Sequence, residues 1–280
     1  MLNTRPLIIV VLVGVFIVGF FLFMRETNKE VVVIDKEDSV ESALEEKDDV
    51  LGDLESKFQG IKPKEWGEKV SGVYNRLDTE EKKIALTLDA CEKKYDEDLL
   101  KYLMEEGIPA TIFASGLWLD KFPEVTEELS ENDLFTIENH GLNHKPCSVN
   151  GEYAYGAKGT KSVKEVIEEI EDNSLKIEKI TGRRPKFYRS GTAYYDEVCT
   201  GIAKELGLYV AGFNIAGDAG ATFSKEQIKK EFSRAGPGSI ILIHMNHPES
   251  DIVEGVKEGV KVLKERGYEF VGLSGQRLRD

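Results

Sequence analysis

Apolar runs of strand length recur along the chain at Ile84–Leu88, Ala110–Ala114, Leu134–Ile137, Phe187–Tyr188, Tyr209–Phe213, Ser239–Ile243 and Glu269–Gly272. Between them apolar residues fall three and four apart. In the clearest such stretch, Val163, Val166, Ile167, Ile170, Ser174, Ile177 and Ile180 mark one helical face. That pattern stops at Gly182, with Pro185 beyond. Strands alternating with helices predict an α/β fold built on a parallel sheet, open or closed into a barrel. No internal repeat or low-complexity tract breaks the alternation.

The first 25 residues follow another rule. Leu7 to Met24 are 18 residues without a charge, set between Arg5 and Arg25. At about 1.5 Å per helical residue they reach roughly 27 Å, close to the hydrocarbon thickness of a bilayer. No small-residue cleavage site follows, so an uncleaved single-pass transmembrane anchor over residues 1–25 is expected rather than a removed signal. The flanking charges, Arg5 against Arg25, Lys29 and Lys36, nearly balance and leave the orientation open. Residues 26–60 hold 12 acidic and 4 basic residues, a net charge of −8, and read as an acidic stalk. Within it Val40, Leu44, Leu51, Leu54 and Phe58 have helical spacing, so a short helix is open, but a solvated spacer that holds a domain off the membrane is the preferred reading. Residues 61–280 form the regularly patterned domain in this reading.

Charge removes one class of function. With 37 basic and 51 acidic residues the 280-residue chain carries −14, against the cationic face a general nucleic-acid binder needs. No nucleic-acid partner is expected. Three cysteines (Cys91, Cys147, Cys199) are too few for a disulfide scaffold. Whether Cys91 and Cys147, which flank two motifs, lie together is not readable from spacing.

The four histidines are the most informative count. They occur as two pairs, His140 with His144 and His244 with His247, each at the end of a predicted strand. Loops at the carboxyl ends of parallel strands build active sites. Two other strand ends carry charge, Asp89 in Leu88-Asp89-Ala90-Cys91 and Arg189 in Tyr188-Arg189-Ser190. In isolation Asp89 could be a helix cap or turn residue. Asp218, in a glycine-bounded loop, could pair with Arg189 or simply shape a turn. The set suits metal-assisted hydrolysis: two imidazoles hold a divalent cation, a carboxylate takes a proton from water, and another histidine protonates a departing amine.

These strand-end motifs resemble, in order and over roughly Trp66 to Asp280, those of the polysaccharide deacetylase family (carbohydrate esterase family 4). The resemblance implies a distorted (β/α) barrel, of about seven parallel strands by the runs above, and removal of N-acetyl, less often O-acetyl, groups from a glycan. It makes Asp89 the general base, His140 and His144 metal ligands, and Arg189 the residue that orients the base. Asp218 becomes the aspartate associated with that arginine, and His244 in Leu242-Ile243-His244 the general acid. The cation would be zinc, with cobalt, nickel or manganese as alternatives. An extracytoplasmic domain at the cell membrane fits that chemistry.

The chain departs from the best-studied branch, where a second aspartate completes the metal site; here Ala90 stands in its place. It is similar instead to a branch with the runs Asp89-Ala90-Cys91, Arg189 to Tyr195 and His244 to Pro248. Asp96 is the first candidate for a third ligand, followed by Cys91, His247 or water alone. Asp96 equally sits where it would cap a helix beginning near Glu97. Tyr194, Tyr195, Trp118 and Phe223 could stack on a sugar or pack in the core. Two other functions stay open: hydrolysis of a non-sugar amide or imide, and a catalytically degenerate glycan-binding module. Oligomeric state is not readable.

Overall fold

The computed structural model describes residues 49–92 and 94–280. The expected anchor and residues 26–48 of the expected stalk lie outside the described residues. Among the described residues no helix is long and apolar enough to cross a membrane. Val50–Asp280 forms one compact unit.

The first half of the chain forms α1 (49–58), β1 (Val73–Tyr74), β2 (Arg76–Leu77), β3 (Lys83–Ala90), α2 (Glu97–Glu105), β4 (Ala110–Ala114), α3 (Gly116–Lys121), α4 (Pro123–Glu131) and β5 (Phe135–Asn139). A short hairpin follows, β6 (Tyr153–Ala154) and β7 (Ala157–Lys158), then the long helix α5 (Val163–Thr181). The rest comprises β8 (Phe187–Tyr188), α6 (Glu197–Glu205), β9 (Tyr209–Ala211), β10 (Ile215–Ala216), α7 (Lys225–Ser233), β11 (Ile240–His244), α8 (Ile252–Glu265), β12 (Glu269–Val271) and β13 (Leu278–Arg279).

All seven expected strands are present in one parallel sheet, joined by β1 and β10 to make nine. Its order is β1-β9-β8-β5-β4-β3-β11-β10, with β12 beside the first half of β3. Among the described residues no pair joins β1 to β10. The expected distorted barrel is thus present as a curled half-barrel of parallel strands. The two added strands are two residues long, too short to leave an apolar period. Central strands are apolar on both faces, as a sheet covered by helices requires: β3 and β4 are almost wholly buried. The stop signal at Gly182 works as read, since this residue caps α5 with φ 68°, a left-handed conformation that glycine adopts at little cost.

The amino-terminal edge of the domain differs from the reading by composition. Leu54 on α1 joins a buried cluster with Val70, Val198 and Ile202, and Leu51 and Phe58 pack against it. Apolar residues three and four apart dock this turn of the stalk onto the domain in spite of its acidic surroundings.

Strand register sets the height of the chemistry. His244 pairs with Asp89, Asp89 with Phe113, Ala114 with Asn139, and Asn139 with Tyr188. His140 and Arg189 each follow one residue later, so the furnished strand ends meet at one rim.

Candidate active site

Asp89 is buried at the end of β3, and its Oδ1 accepts a hydrogen bond of 2.7 Å from Arg189 Nη1. Arg189 is wholly buried, and four of its five N–H groups are hydrogen-bonded. Nε donates to the Ala211 carbonyl, Nη2 to that of Gly212 and Nη1 also to Thr87 Oγ1, each at 3.0 Å. Its guanidinium lies 4.2 Å from the centre of the Phe113 ring, a cation–π arrangement. Burial alone would raise the Asp89 carboxyl, but the Arg189 charge, with the neighbouring imidazoles and the Arg189 hydrogen bond, outweighs it and holds the group below its ordinary value. Arg189 thus keeps Asp89 both oriented and ionised.

His244 ends β11, and its Nδ1 donates to Asp218 Oδ1 at 3.0 Å. Asp218 is wholly buried and its Oδ2 also accepts the His244 backbone N–H at 2.6 Å. Asp218 is therefore the partner of the histidine and not of Arg189, which corrects one of the pairings left open by the sequence. Both belong to neighbouring strand ends, a relation visible only once β10 pairs with β11. Burial would lower the His244 imidazole, yet the Asp218 carboxylate prevails and raises it. With Nδ1 carrying one proton, Nε2 is the atom able to pass another to a substrate.

The histidine loop is held from below and from the side. His140 Nδ1 lies 2.9 Å from the Arg189 carbonyl. A carbonyl only accepts, so Nδ1 holds the proton and Nε2 presents a lone pair. His144 adopts φ 57°, an uncommon conformation for a side-chain-bearing residue. Glu169 on α5 fixes both sides of it, accepting the backbone N–H of Asn143 at 2.8 Å and of Lys145 at 3.2 Å. Gly191 packs against it so closely that a Cβ there would lie 2.3 Å from the His144 carbonyl carbon. Asn139 completes the support: its Oδ1 accepts from Gly141 N and from Asn173 Nδ2. Glu169, Asn139, Asn173 and Thr87 escaped the sequence reading. The legible signal was a polar Asn173-Ser174 step on an otherwise apolar helical face.

His144 Nε2 is buried without a hydrogen-bond partner. Cys91 Sγ lies 3.6 Å from His140 Nε2, and one donor atom each from Cys91, His140 and His144 lie within 4.8 Å of one another. Burial pushes His144 down to about 3, with His140 adding to the effect, and burial likewise lowers His140. Both rings are neutral at pH 7, the form that ligates a cation. An orphaned lone pair, two neutral imidazoles and a thiol fit a divalent metal. Burial, followed by the Asp89 charge, pushes the Cys91 thiol well up, which disfavours a free thiolate nucleophile.

Asp96 is not part of this cluster. Its Oδ1 caps α2 by accepting Leu99 N at 3.0 Å, so the capping alternative accounts for that oxygen. His247 is half-exposed, facing Asn246 and Glu249. Cys91, Cys147 and Cys199 are free and buried. Trp118 and Tyr195 are core residues, and Phe223 packs against the core. Tyr194 and Phe223 are half-buried; Tyr194 lies 5.7 Å from Trp66 and 5.3 Å from Tyr155 between ring centres.

Residues 76–211 match the family model described as polysaccharide deacetylase. A peptidoglycan-N-acetylglucosamine deacetylase of Bacillus cereus is 25% identical over 282 residues, covering 94% of this chain and 90% of that protein. A carbohydrate esterase family 4 pseudoenzyme from Bacillus anthracis superimposes with a TM-score of 0.62 at 19% identity, over 74% of this chain and 69% of that one. A family 4 acetyl xylan esterase from Clostridium thermocellum, solved with a cobalt ion, gives 0.55 at 24% identity, over 69% and 88%.

Proposed function

Because this chain belongs to the polysaccharide deacetylase family and is a carbon–nitrogen hydrolase of the deacetylase type, we propose that it removes N-acetyl groups from peptidoglycan glycan strands in a metal-dependent reaction. Asp89 is the general base and His244 the general acid. Leu7–Met24 anchors the chain in the cell membrane, and the acidic segment holds the domain off its outer face, where that polymer lies. The peptidoglycan-N-acetylglucosamine deacetylase of Bacillus cereus, similar over nearly the whole chain, supports the substrate class.

One observation carries the catalytic roles: Asp89 and His244 stand in register on the paired strands β3 and β11, the first held by Arg189 and the second by Asp218. A glycan-binding module needs neither a held base nor a held acid. That favours turnover over the degenerate alternative.

His140, His144 and a third group would hold the cation. A divalent cation there supplies Lewis-acid activation of the acetyl carbonyl and of water. Asp89, kept ionised by Arg189, takes a proton from the attacking water as its oxygen bonds to the carbonyl carbon. His244 Nε2 gives a proton to the amide nitrogen as the carbon–nitrogen bond breaks, leaving acetate and a free amine. Asp218 keeps His244 in the tautomer and charge state this requires. Tyr194, with Trp66 and Tyr155, offers a ring surface for the sugar.

The test is acetate release by the full chain from peptidoglycan and chito-oligomers, beside a panel of non-sugar amides. Release from the glycans with matching gain of free amine is expected. Turnover of only the non-sugar amides would overturn the substrate class.

A further inference from the structure

We propose that Cys91 is the third protein ligand, so that the cation is held by two imidazoles and a thiolate. The inference rests on the metal-dependent reading above and goes beyond it by naming the ligand that replaces the family's second aspartate, here Ala90.

Distances support it. Cys91 Sγ and His140 Nε2 are 3.6 Å apart. A tetrahedral zinc with a bond of about 2.3 Å to sulfur and about 2.05 Å to nitrogen sets those two atoms about 3.5 Å apart. The same separation also suits a thiol hydrogen bond to the ring. That pairing would leave the His144 Nε2 lone pair buried and without a donor, an arrangement folded proteins rarely keep. A cation drawing one donor atom from each residue would satisfy that lone pair, and one such atom from each of the three lies within 4.8 Å of the others.

The competing carboxylates are otherwise engaged or elsewhere. Asp89 Oδ2 is also 3.6 Å from His140 Nε2, but Oδ1 of the same group is bound to Arg189 and the group is needed as base. Asp96 has a buried unpartnered Oδ2, yet it lies outside the cluster and caps α2.

A thiolate brings the same single negative charge as the missing carboxylate, so the electrostatic balance of the site is conserved. Its softness changes which cation is favoured. Sulfur with two imidazoles selects zinc or cobalt and disfavours manganese, magnesium and calcium, which prefer oxygen. Three protein ligands leave the fourth tetrahedral position open for water or substrate, as catalytic sites require.

Cobalt titration of the metal-depleted full chain gives a readout independent of turnover. One cobalt per chain with an intense near-ultraviolet thiolate-to-cobalt charge-transfer band is expected. Cys91→Ser should lose the band and bind cobalt more weakly than the roughly 10–100-fold that changes to outer-shell partners cost. Cys91→Asp should restore one-to-one binding without the band, and circular dichroism on each variant checks folding. Asp96→Asn, which keeps a capping side chain, should retain the band.

One bound cobalt without the band in the parent protein would overturn the thiolate ligand and leave the metal-dependent reading standing. A band persisting in Cys91→Ser would overturn it equally. Folded parent protein that binds neither cobalt nor zinc would overturn both.

Discussion

Replacing Asp218 by asparagine tests the proposal that His244 is the general acid. The carboxylate receives donors alone: His244 Nδ1 at 3.0 Å, the His244 backbone N–H at 2.6 Å and Gly220 N–H at 3.1 Å. An asparagine amide can serve only part of that set, because its nitrogen donates. The imidazole then turns its Nδ1 into an acceptor and keeps its single proton on Nε2, a far weaker acid than the imidazolium. In the parent, burial works against protonation and Asp218 more than compensates, raising His244 above its ordinary value. An opposite charge at this range is worth about 1–3 pH units, or roughly 1.4–4 kcal/mol. The acid is present below the raised value and lost as pH climbs through it, so the alkaline limb of kcat/KM should move down by about 1–3 units in Asp218→Asn. At a pH above both limbs the variant should be slower by about 10- to 1000-fold from this cause alone. The assay is acetate release across pH, with melting curves to confirm folding. Coincident alkaline limbs in parent and variant would refute the assignment of His244 as acid and Asp218 as its support.

Other consequences follow from single contacts. Asp89→Asn keeps an acceptor for Arg189 but loses the base, so kcat should fall by about 10²–10⁴-fold while zinc binding persists; unchanged turnover would contradict the role. Gly191→Ala puts a Cβ 2.3 Å from the His144 carbonyl carbon, and the displaced ligand loop should weaken zinc by roughly 10–100-fold in a chelator competition. An unaltered affinity would mean the loop yields without moving His144. Glu138, buried on β5 with Oε2 accepting Lys186 N and Phe187 N, is pushed by burial up to about 7. Its folded value exceeds the unfolded one, so it costs nothing at low pH and destabilises increasingly as pH rises from about 4.5 to 7. Glu138→Gln should therefore gain up to about 3 kcal/mol at pH 8 and nothing at pH 4 in urea unfolding. Equal gains at both pH values would reject that explanation.

The legible parts of this chain are those where one residue's neighbours in sequence decide its role. Seven strands announced themselves because a covered parallel strand is apolar on both faces. The histidine pairs, Asp89 and Arg189 were readable because strand ends concentrate polar side chains at one rim. Pairings across the sheet were not. Asp218 could not be joined to His244 before β10 was known to lie beside β11, and two residues of strand leave no periodic trace. Cys91 and Asp96 competed on spacing, and only folding brought the first to the imidazoles while the second closed a helix. Glu169 looks in sequence like any charged helix residue; its burial against the 143–145 loop is a tertiary fact. Helix α1 was one of two alternatives open in the sequence: Leu51, Leu54 and Phe58 carried its docking pattern, while the acidic surroundings weighed toward a spacer.

In the proposed reaction, deacetylation requires a cation bound at His140 and His144. Its most direct measurement is acetate release from peptidoglycan by the full chain after chelation, then with zinc restored stepwise. Activity is expected to vanish with the metal, to return at one zinc per chain, and not to return in His140→Ala. Undiminished release from the metal-free protein, or equal activity in His140→Ala, would contradict it.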